Sequence, residues 1–302
     1  MKRMQTPSQT LASPSARRFA RERDVDLNEL SRELGQNWLS QADVARKLGG
    51  GSGPTALGNS ASPWDQDHSR FGPVEAEPTS RLNRLAATNL ASAQQMIPAV
   101  THQDRADMSA IERFRDSLKQ EARARGTKLS SLAFHIKALA LNLREFPRFN
   151  ASLSTDGETL WLKHYVHIGI AVDTPNGLMV PVIRNADRKG VFTIADEVVD
   201  LAGRARDRKL RPDEMAGASM TISNLGGIGG QAFTPIVNPP EVAILGLTRT
   251  TVEPVWDGKA FVPTVFCPLS LSYDHRVING ADAARFLAHY ACMLADPREM
   301  LI

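Results

Sequence analysis

The side chains that suggest chemistry lie near the C-terminus, in Ser270-Leu271-Ser272-Tyr273-Asp274-His275-Arg276-Val277-Ile278-Asn279-Gly280. Val265, Cys267, Leu269, Leu271 and Tyr273 alternate with Thr264, Phe266, Pro268, Ser270 and Ser272, the period of a strand with one buried face. Ala284, Leu287, Tyr290, Ala291 and Leu294 then follow helical spacing until Asp296-Pro297. His275 is therefore expected where a strand hands over to a helix. A ring held there, near a helix N-terminus that disfavours imidazolium, keeps a nitrogen free to take a proton, as a general base must. Spacing alone also fits a plain reading, in which Asp274, His275 and Arg276 form a surface ion pair at a strand end.

Other candidate motifs lead away from metals and nucleotides. Gly226-Gly227-Ile228-Gly229-Gly230 lacks the Gly-Lys-Ser/Thr of a phosphate loop and the Rossmann spacing, and reads as a tight loop. Cys267 and Cys292 form neither a metal spacing nor a disulfide framework, which suits a reducing compartment. His68, His102, His135, His164, His167 and His289 show no ligand pattern and default to surface or strand-face positions.

The run Tyr-Asp-His-Arg-Val-Ile-Asn-Gly-Ala-Asp, residues 273–282, resembles the signature of the dihydrolipoyl acyltransferases. These are the E2 cores of 2-oxo acid dehydrogenase complexes, which share a fold with chloramphenicol acetyltransferase. The resemblance continues through nearly every segment from His68-Ser69-Arg70-Phe71 onward. It implies an α/β two-layer sandwich with a mixed sheet, assembled as a homotrimer, with a 24-mer cube or a larger shell left open. Acyl transfer between thiols needs a base, an oxyanion donor and a dry channel. By resemblance His275 is the base. Ser223, in Ser219-Met220-Thr221-Ile222-Ser223-Asn224-Leu225-Gly226, is the oxyanion donor, reached across a subunit interface. Asn279 stands where most relatives carry Asp, and an Asn can orient backbone or a ring but holds no charge. Asp173 and Phe233 match positions on the lipoamide side of the channel. Two departures, Ala99 for the usual His and Gln103 for the usual Phe, fall on the trimer-facing strand.

These residues need elements to hold them. Leu82, Leu85, Ala86 and Leu90 suit an amphipathic helix, and Ile97 to Asp107 suits a strand. Ile111 to Ala124 and Ser130 to Glu145 read as helices, the second apolar enough to be buried. Tyr165 to Val172 reads as a half-buried strand, Thr174-Pro175-Asn176-Gly177 as a turn and Leu178 to Ile183 as another strand. Thr193 to Arg206 reads as a helix, followed by strands over Ser219 to Leu225, Glu241 to Leu247 and Val262 to Tyr273.

At 302 residues the chain has room for one large domain and a smaller module. No apolar run reaches membrane-spanning length. Its net charge of +3 is carried by residues 1–48, with nine Lys/Arg against six Asp/Glu, so the body is near neutral and does not suggest nucleic-acid binding. Lys2, Arg3, Arg17, Arg18 and Arg21 precede any acid; this suits a transit peptide, but a basic helix is the better reading. Residues 12–48 read as two short helices, one opened by Ser13-Pro14 and one by Ser40. The order Ala12-Ser13-Pro14, Arg17-Arg18, Ala20-Arg21-Glu22 and Val25-Asp26-Leu27 resembles the peripheral subunit-binding domain of E2 proteins. That resemblance implies pyruvate dehydrogenase (E1) and dihydrolipoamide dehydrogenase (E3) components as partners. Glu33-Leu34-Gly35-Gln36-Asn37-Trp38 departs from the family's Gly-rich loop.

Residues 49–67 read as a Gly/Ser/Pro linker and 68–302 as the catalytic domain. No Asp-Lys dipeptide is present, so a lipoyl group is expected from another polypeptide. Residues Asn279 to Phe286 look more like acetyl- than succinyltransferases. The expected reaction is acetyl transfer between dihydrolipoamide and coenzyme A in a bacterial cytoplasm, without a metal. A scaffold subunit of such a complex and an acyltransferase for a small-molecule acceptor remain open.

Overall fold

The computed structural model describes residues 11–12, 14–34, 38–39, 41–47, 66–175 and 177–300. The chain divides into two compact units, residues 1–77 and 78–302.

In the first unit α1 (Pro14–Arg21), α2 (Leu27–Leu34) and α3 (Gln41–Lys47) enclose a core of Ala16, Ala20, Leu30, Leu39 and Val44. The short strands β1 (Leu11–Ala12) and β2 (Trp38–Leu39) pair in parallel. The spacing predicts two helices here, and α2 is a third. Asp26 Oδ1 accepts from the Asn28 and Glu29 N–H groups at its start, and Leu30 is buried. Asp26 with Glu29 is thus a legible capping pattern that the apolar periodicity hides. The caps expected at Ser13 and Ser40, and all but residues 66 and 67 of the linker, lie outside the described residues.

The second unit begins with α4 (Arg81–Met96), capped by the Ser80 hydroxyl, and β3 (Ala99–Asp107). The helix expected over Ile111 to Ala124 is two helices, α5 (Ser109–Ser117) and α6 (Lys119–Arg125), broken at Leu118. Next come α7 (Ser131–Glu145) and a hairpin of β4 (Ala151–Leu153) and β5 (Leu160–Leu162). β6 (Ile168–Ala171), β7 (Val182–Ile183), α8 (Val191–Arg206), β8 (Met220–Asn224) and β9 (Ala243–Leu247) follow. β10 (Thr251–Trp256), β11 (Phe261–Asp274) and α9 (Gly280–Ala295) complete the unit.

Seven strands form one mixed sheet in the order β10-β11-β9-β8-β6-β7, with β3 on the other edge of β11. β6, β8 and β9 run parallel, and β11 is antiparallel to β3, β9 and β10. The register sorts the side chains. Ile170, Ile222, Leu245 and Leu271 share one face, which helices α7 and α9 cover through Leu139, Phe286, Leu287 and Tyr290. Ala171, Ser223, Gly246, Ser270 and Gln103 share the opposite face, beside Gly169, Thr221, Ile244, Ser272 and Thr101.

Three expectations need correction. β11 buries more than the one expected face, because from Leu269 to Asp274 both faces are covered and Ser270 and Ser272 are each only 1% exposed. The Ser272 hydroxyl meets that of Thr101 at 2.7 Å, and Ile97, Val237 and Ile244 form a small second cluster over this face. β6 is likewise more than half-buried, with Ile168, Gly169 and Ile170 all buried. Helix α4 is amphipathic only in sequence, for Leu85 and Leu90 are exposed.

Candidate active site

The strongest constraints in this region surround His275. β11 ends at Asp274, which is 2% exposed and grips Arg276 from both oxygens. Oδ1 accepts from the Arg276 backbone N–H and from Nε, each at 3.0 Å, and Oδ2 accepts from Nη2 at 2.6 Å. The ion pair expected for these two residues is present, and its effect is to close the turn that carries His275. The His275 N–H donates to Pro98 O at 3.2 Å, and its ring lies 5.9 Å from that of Tyr273. The ring is exposed on the single chain.

The backbone therefore holds His275 from the strand side. Helix α9 begins only at Gly280, and the Asp282 N–H in its first turn is taken by Asn279 Oδ1 at 2.9 Å. Asn279 is thus an N-cap, and the expected influence of the helix end on the His275 ring has no direct geometry behind it.

Ser223 lies elsewhere on the sheet. It is half-buried on β8, between Ala171 and Gly246 in register. Gly246 makes room for an aromatic ring, because a Cβ there would stand 2.6 and 2.7 Å from atoms of Phe233. Phe233 and Ser223 are therefore neighbours on one face. Asp173 is exposed just beyond β6, two residues after the register partner of Ser223. Gly246 is in turn opposite Ser270, and His275 is five positions further along the chain, just past the end of β11. At roughly 3.3 Å per residue, Ser223 and His275 of one chain are separated by on the order of 15 Å along the strands. The structure therefore forms two groups, Ser223 with Phe233 and Asp173, and His275 with Asn279. A cavity of about 430 Å³ opens on the same sheet face, lined by Ala93, Ile97, Thr101, Thr234, Val237 and Ser272.

One buried acid was not singled out by the sequence reading. Glu241 is 4% exposed, and its Oε1 accepts from the Thr221 hydroxyl at 2.9 Å and from Asn238 Nδ2 at 3.4 Å. Oε2 has no hydrogen-bond partner among the described residues. Burial pushes the carboxyl up to about 7, against the opposing pull of Thr221, Asn238 and Lys163. A Pro-Pro-Glu run at a strand entrance carries no periodic signal that would reveal this.

Three of the remaining histidines make side-chain hydrogen bonds within the chain. His135 is buried in α7, contrary to expectation, with Nδ1 2.7 Å from the Tyr290 hydroxyl; burial lowers it to about 4. His289 Nδ1 meets Asn142 Oδ1 at 2.6 Å, and His167 Nδ1 accepts from the Asn185 N–H. Among the described residues no group of three or more His, Cys, Asp or Glu is placed to hold a metal ion. No helix among them is long and apolar enough to cross a membrane.

Residues 71–302 match the 2-oxoacid dehydrogenases acyltransferase (catalytic domain), and residues 10–54 match the e3 binding domain. The chain is 47% identical to the dihydrolipoyllysine-residue acetyltransferase component of the pyruvate dehydrogenase complex of Cupriavidus necator, over 96% of this chain and 55% of that protein. The Pseudomonas aeruginosa component gives the same three values. The chain thus spans about half the length of these curated relatives. Among solved structures, dihydrolipoamide acetyltransferase of Azotobacter vinelandii superposes with a TM-score of 0.77 at 51% identity, covering 78% of this chain and 98% of that one. That work concerned the roles of a serine, a histidine and an asparagine in the catalytic mechanism of the Azotobacter enzyme. A cubic core of the pyruvate dehydrogenase multienzyme complex matches at 52% identity and the same TM-score and coverage. By sequence and by fold, the chain belongs to the 2-oxoacid dehydrogenase acyltransferases.

Proposed function

We propose that the chain transfers acetyl groups between dihydrolipoamide and coenzyme A, as the E2 core of a pyruvate dehydrogenase-type complex. The observation that carries this reading is a spacing. The serine, histidine and asparagine studied in the Azotobacter enzyme are 52 and 4 positions apart, as Ser223, His275 and Asn279 are here. The His275 ring takes the proton from an incoming thiol, and the resulting thiolate attacks the thioester carbonyl. The Ser223 hydroxyl donates to the oxyanion that forms. Collapse of the tetrahedral intermediate expels the second thiolate, which recovers the proton from the imidazolium. Asn279 fixes the turn between base and helix, while Asp173 and Phe233 line the approach on the lipoamide side.

The separation of Ser223 from His275 within one chain supports an interface site, with the base of one protomer facing the serine of another. The uncovered apolar residues of α4 support the same arrangement, since Leu85, Leu90 and Met96 would otherwise meet water. The assembly the family resemblance implies, a homotrimer, completes each site in this way, and a 24-mer cube is an arrangement built from such trimers. Residues 12–48 serve as the docking module for E1 or E3, 49–67 as the linker and 68–302 as the catalytic domain. The setting is a bacterial cytoplasm.

The test follows acetyl transfer from acetyl-CoA to free dihydrolipoamide by the purified assembly. His275→Ala should slow turnover about a thousandfold and Ser223→Ala about a hundredfold. An unchanged rate in His275→Ala overturns the reading. Turnover with amine or hydroxyl acceptors but not with dihydrolipoamide would replace it with a small-molecule acyltransferase, and an intact assembly without turnover would leave a scaffold.

A further inference from the structure

We propose that Glu241 is a positioning residue for acyl transfer, holding Thr221 so that the strand presents the Ser223 hydroxyl at the correct height. The inference rests on the acyltransferase reading and adds a residue to it. Thr221 and Ser223 are two apart on β8 and point to the same side of the sheet. The Thr221 hydroxyl donates to Glu241, and that contact needs Gly169 on the neighbouring strand, where a Cβ would come within 2.5 Å of Thr221 Oγ1. The other side of Glu241 is fixed as well. Its N–H donates to Asn238 O, and the next residue, Val242, accepts from the Asp274 N–H at 2.8 Å. Glu241 thus stands between the strand that carries Ser223 and the end of the strand that carries His275.

A carboxyl is a costly choice for a buried acceptor, since an amide would hold Thr221 and Asn238 without the desolvation of a charge. What the carboxyl adds is an acceptor whose strength changes with ionisation. The charge acting on it among the described residues is that of Lys163, which follows β5, is itself held below its ordinary pKa by burial, and bonds Ala218 O at 3.1 Å. Thr221 from β8 and Asn238 from the preceding loop are neutral. Above a pH of about 7 the ionised carboxylate grips Thr221. Below it the neutral acid accepts more weakly, and Ser223 loses part of its effect.

The experiment measures the factor by which Ser223→Ala slows kcat, from pH 6 to pH 8.5, in the intact assembly. Any pH dependence that the two chains share is common to numerator and denominator and cancels. With Glu241 present the factor should be about a hundredfold at high pH and fall about tenfold toward low pH. Glu241→Gln keeps an acceptor for both donors, so it should retain kcat at pH 8 and make the factor independent of pH. Glu241→Ala should lower kcat about tenfold without changing the KM for either substrate, and should have no further effect once Ser223 is Ala. Equal slowing by Glu241→Ala in the native and the Ser223→Ala chains overturns the proposal, as does an unaltered pH dependence in Glu241→Gln. If Ser223→Ala is silent at every pH, the acyltransferase reading fails first and carries this inference with it.

Discussion

The two faces of the seven-stranded sheet differ in what their side chains can do. One carries Ile222, Leu245 and Leu271 against Phe286, Leu287 and Tyr290, all fully buried. Its side chains are large, apolar and confined by helices α7 and α9. The other carries Thr221, Ser223, Gly246, Ser270 and Thr101, all small; the hydroxyls of Thr221 and Thr101 meet Glu241 and Ser272, and Ser223 is half-buried. Each strand supplies both faces by alternation, so stability and chemistry are distributed over the same two central strands, β8 and β9. A strand can afford a hydroxyl at every second position because its other positions are buried in full.

The largest effect that would sharpen this contrast is on stability. Leu271→Ala, at a fully buried position, should cost about 4 kcal/mol in chemical denaturation and leave turnover per folded chain unchanged. Ser223→Ala should do the reverse, with stability altered by less than about 0.5 kcal/mol. A Leu271→Ala chain that keeps its stability but loses turnover would break the division. Next in size is the titratable group inside the apolar layer. His135 is lowered to about 4 in the folded chain, so below its ordinary 6.5 only the unfolded chain takes the proton. Stability should therefore fall by about 3 kcal/mol between pH 6.5 and 4. His135→Gln should remove that slope, which denaturation curves at successive pH values would show. The smallest effect concerns Gly246, where Ala must displace Phe233 or the strand. It should cost about 2 kcal/mol of stability, and by shifting the neighbour of Ser223 it should lower kcat more than its stability loss explains.

Long periodic elements were legible from sequence. α7, α9 and β11 match the expected spans closely, because each repeats its apolar residues over several turns or pleats. β10 was not legible, since Pro254 interrupts a strand at the sheet edge, and the three-residue strands of the β4–β5 hairpin are too short to show a period. Ser270 and Ser272 misled in another way. Alternating serines read as a solvent face, yet both are buried, beside Thr101 and a face that also carries the cluster of Ile97, Val237 and Ile244. At the site, the Asp-His-Arg run marked His275, and the strand end does hold it. Asn279 was expected to orient backbone or a ring, and it caps α9. Glu241 was hidden, because a single acid near two prolines says nothing about Thr221 until the fold brings them together.

The distance between Ser223 and His275 on one sheet has a consequence for mixtures of damaged chains. Under the proposed reading each site borrows its serine and its imidazole from different protomers. A population in which half the chains lack one group and half lack the other would then contain intact pairs at some seams and doubly broken ones at others. Two separately dead preparations, unfolded together and allowed to reassemble, would regain a statistical share of the original rate.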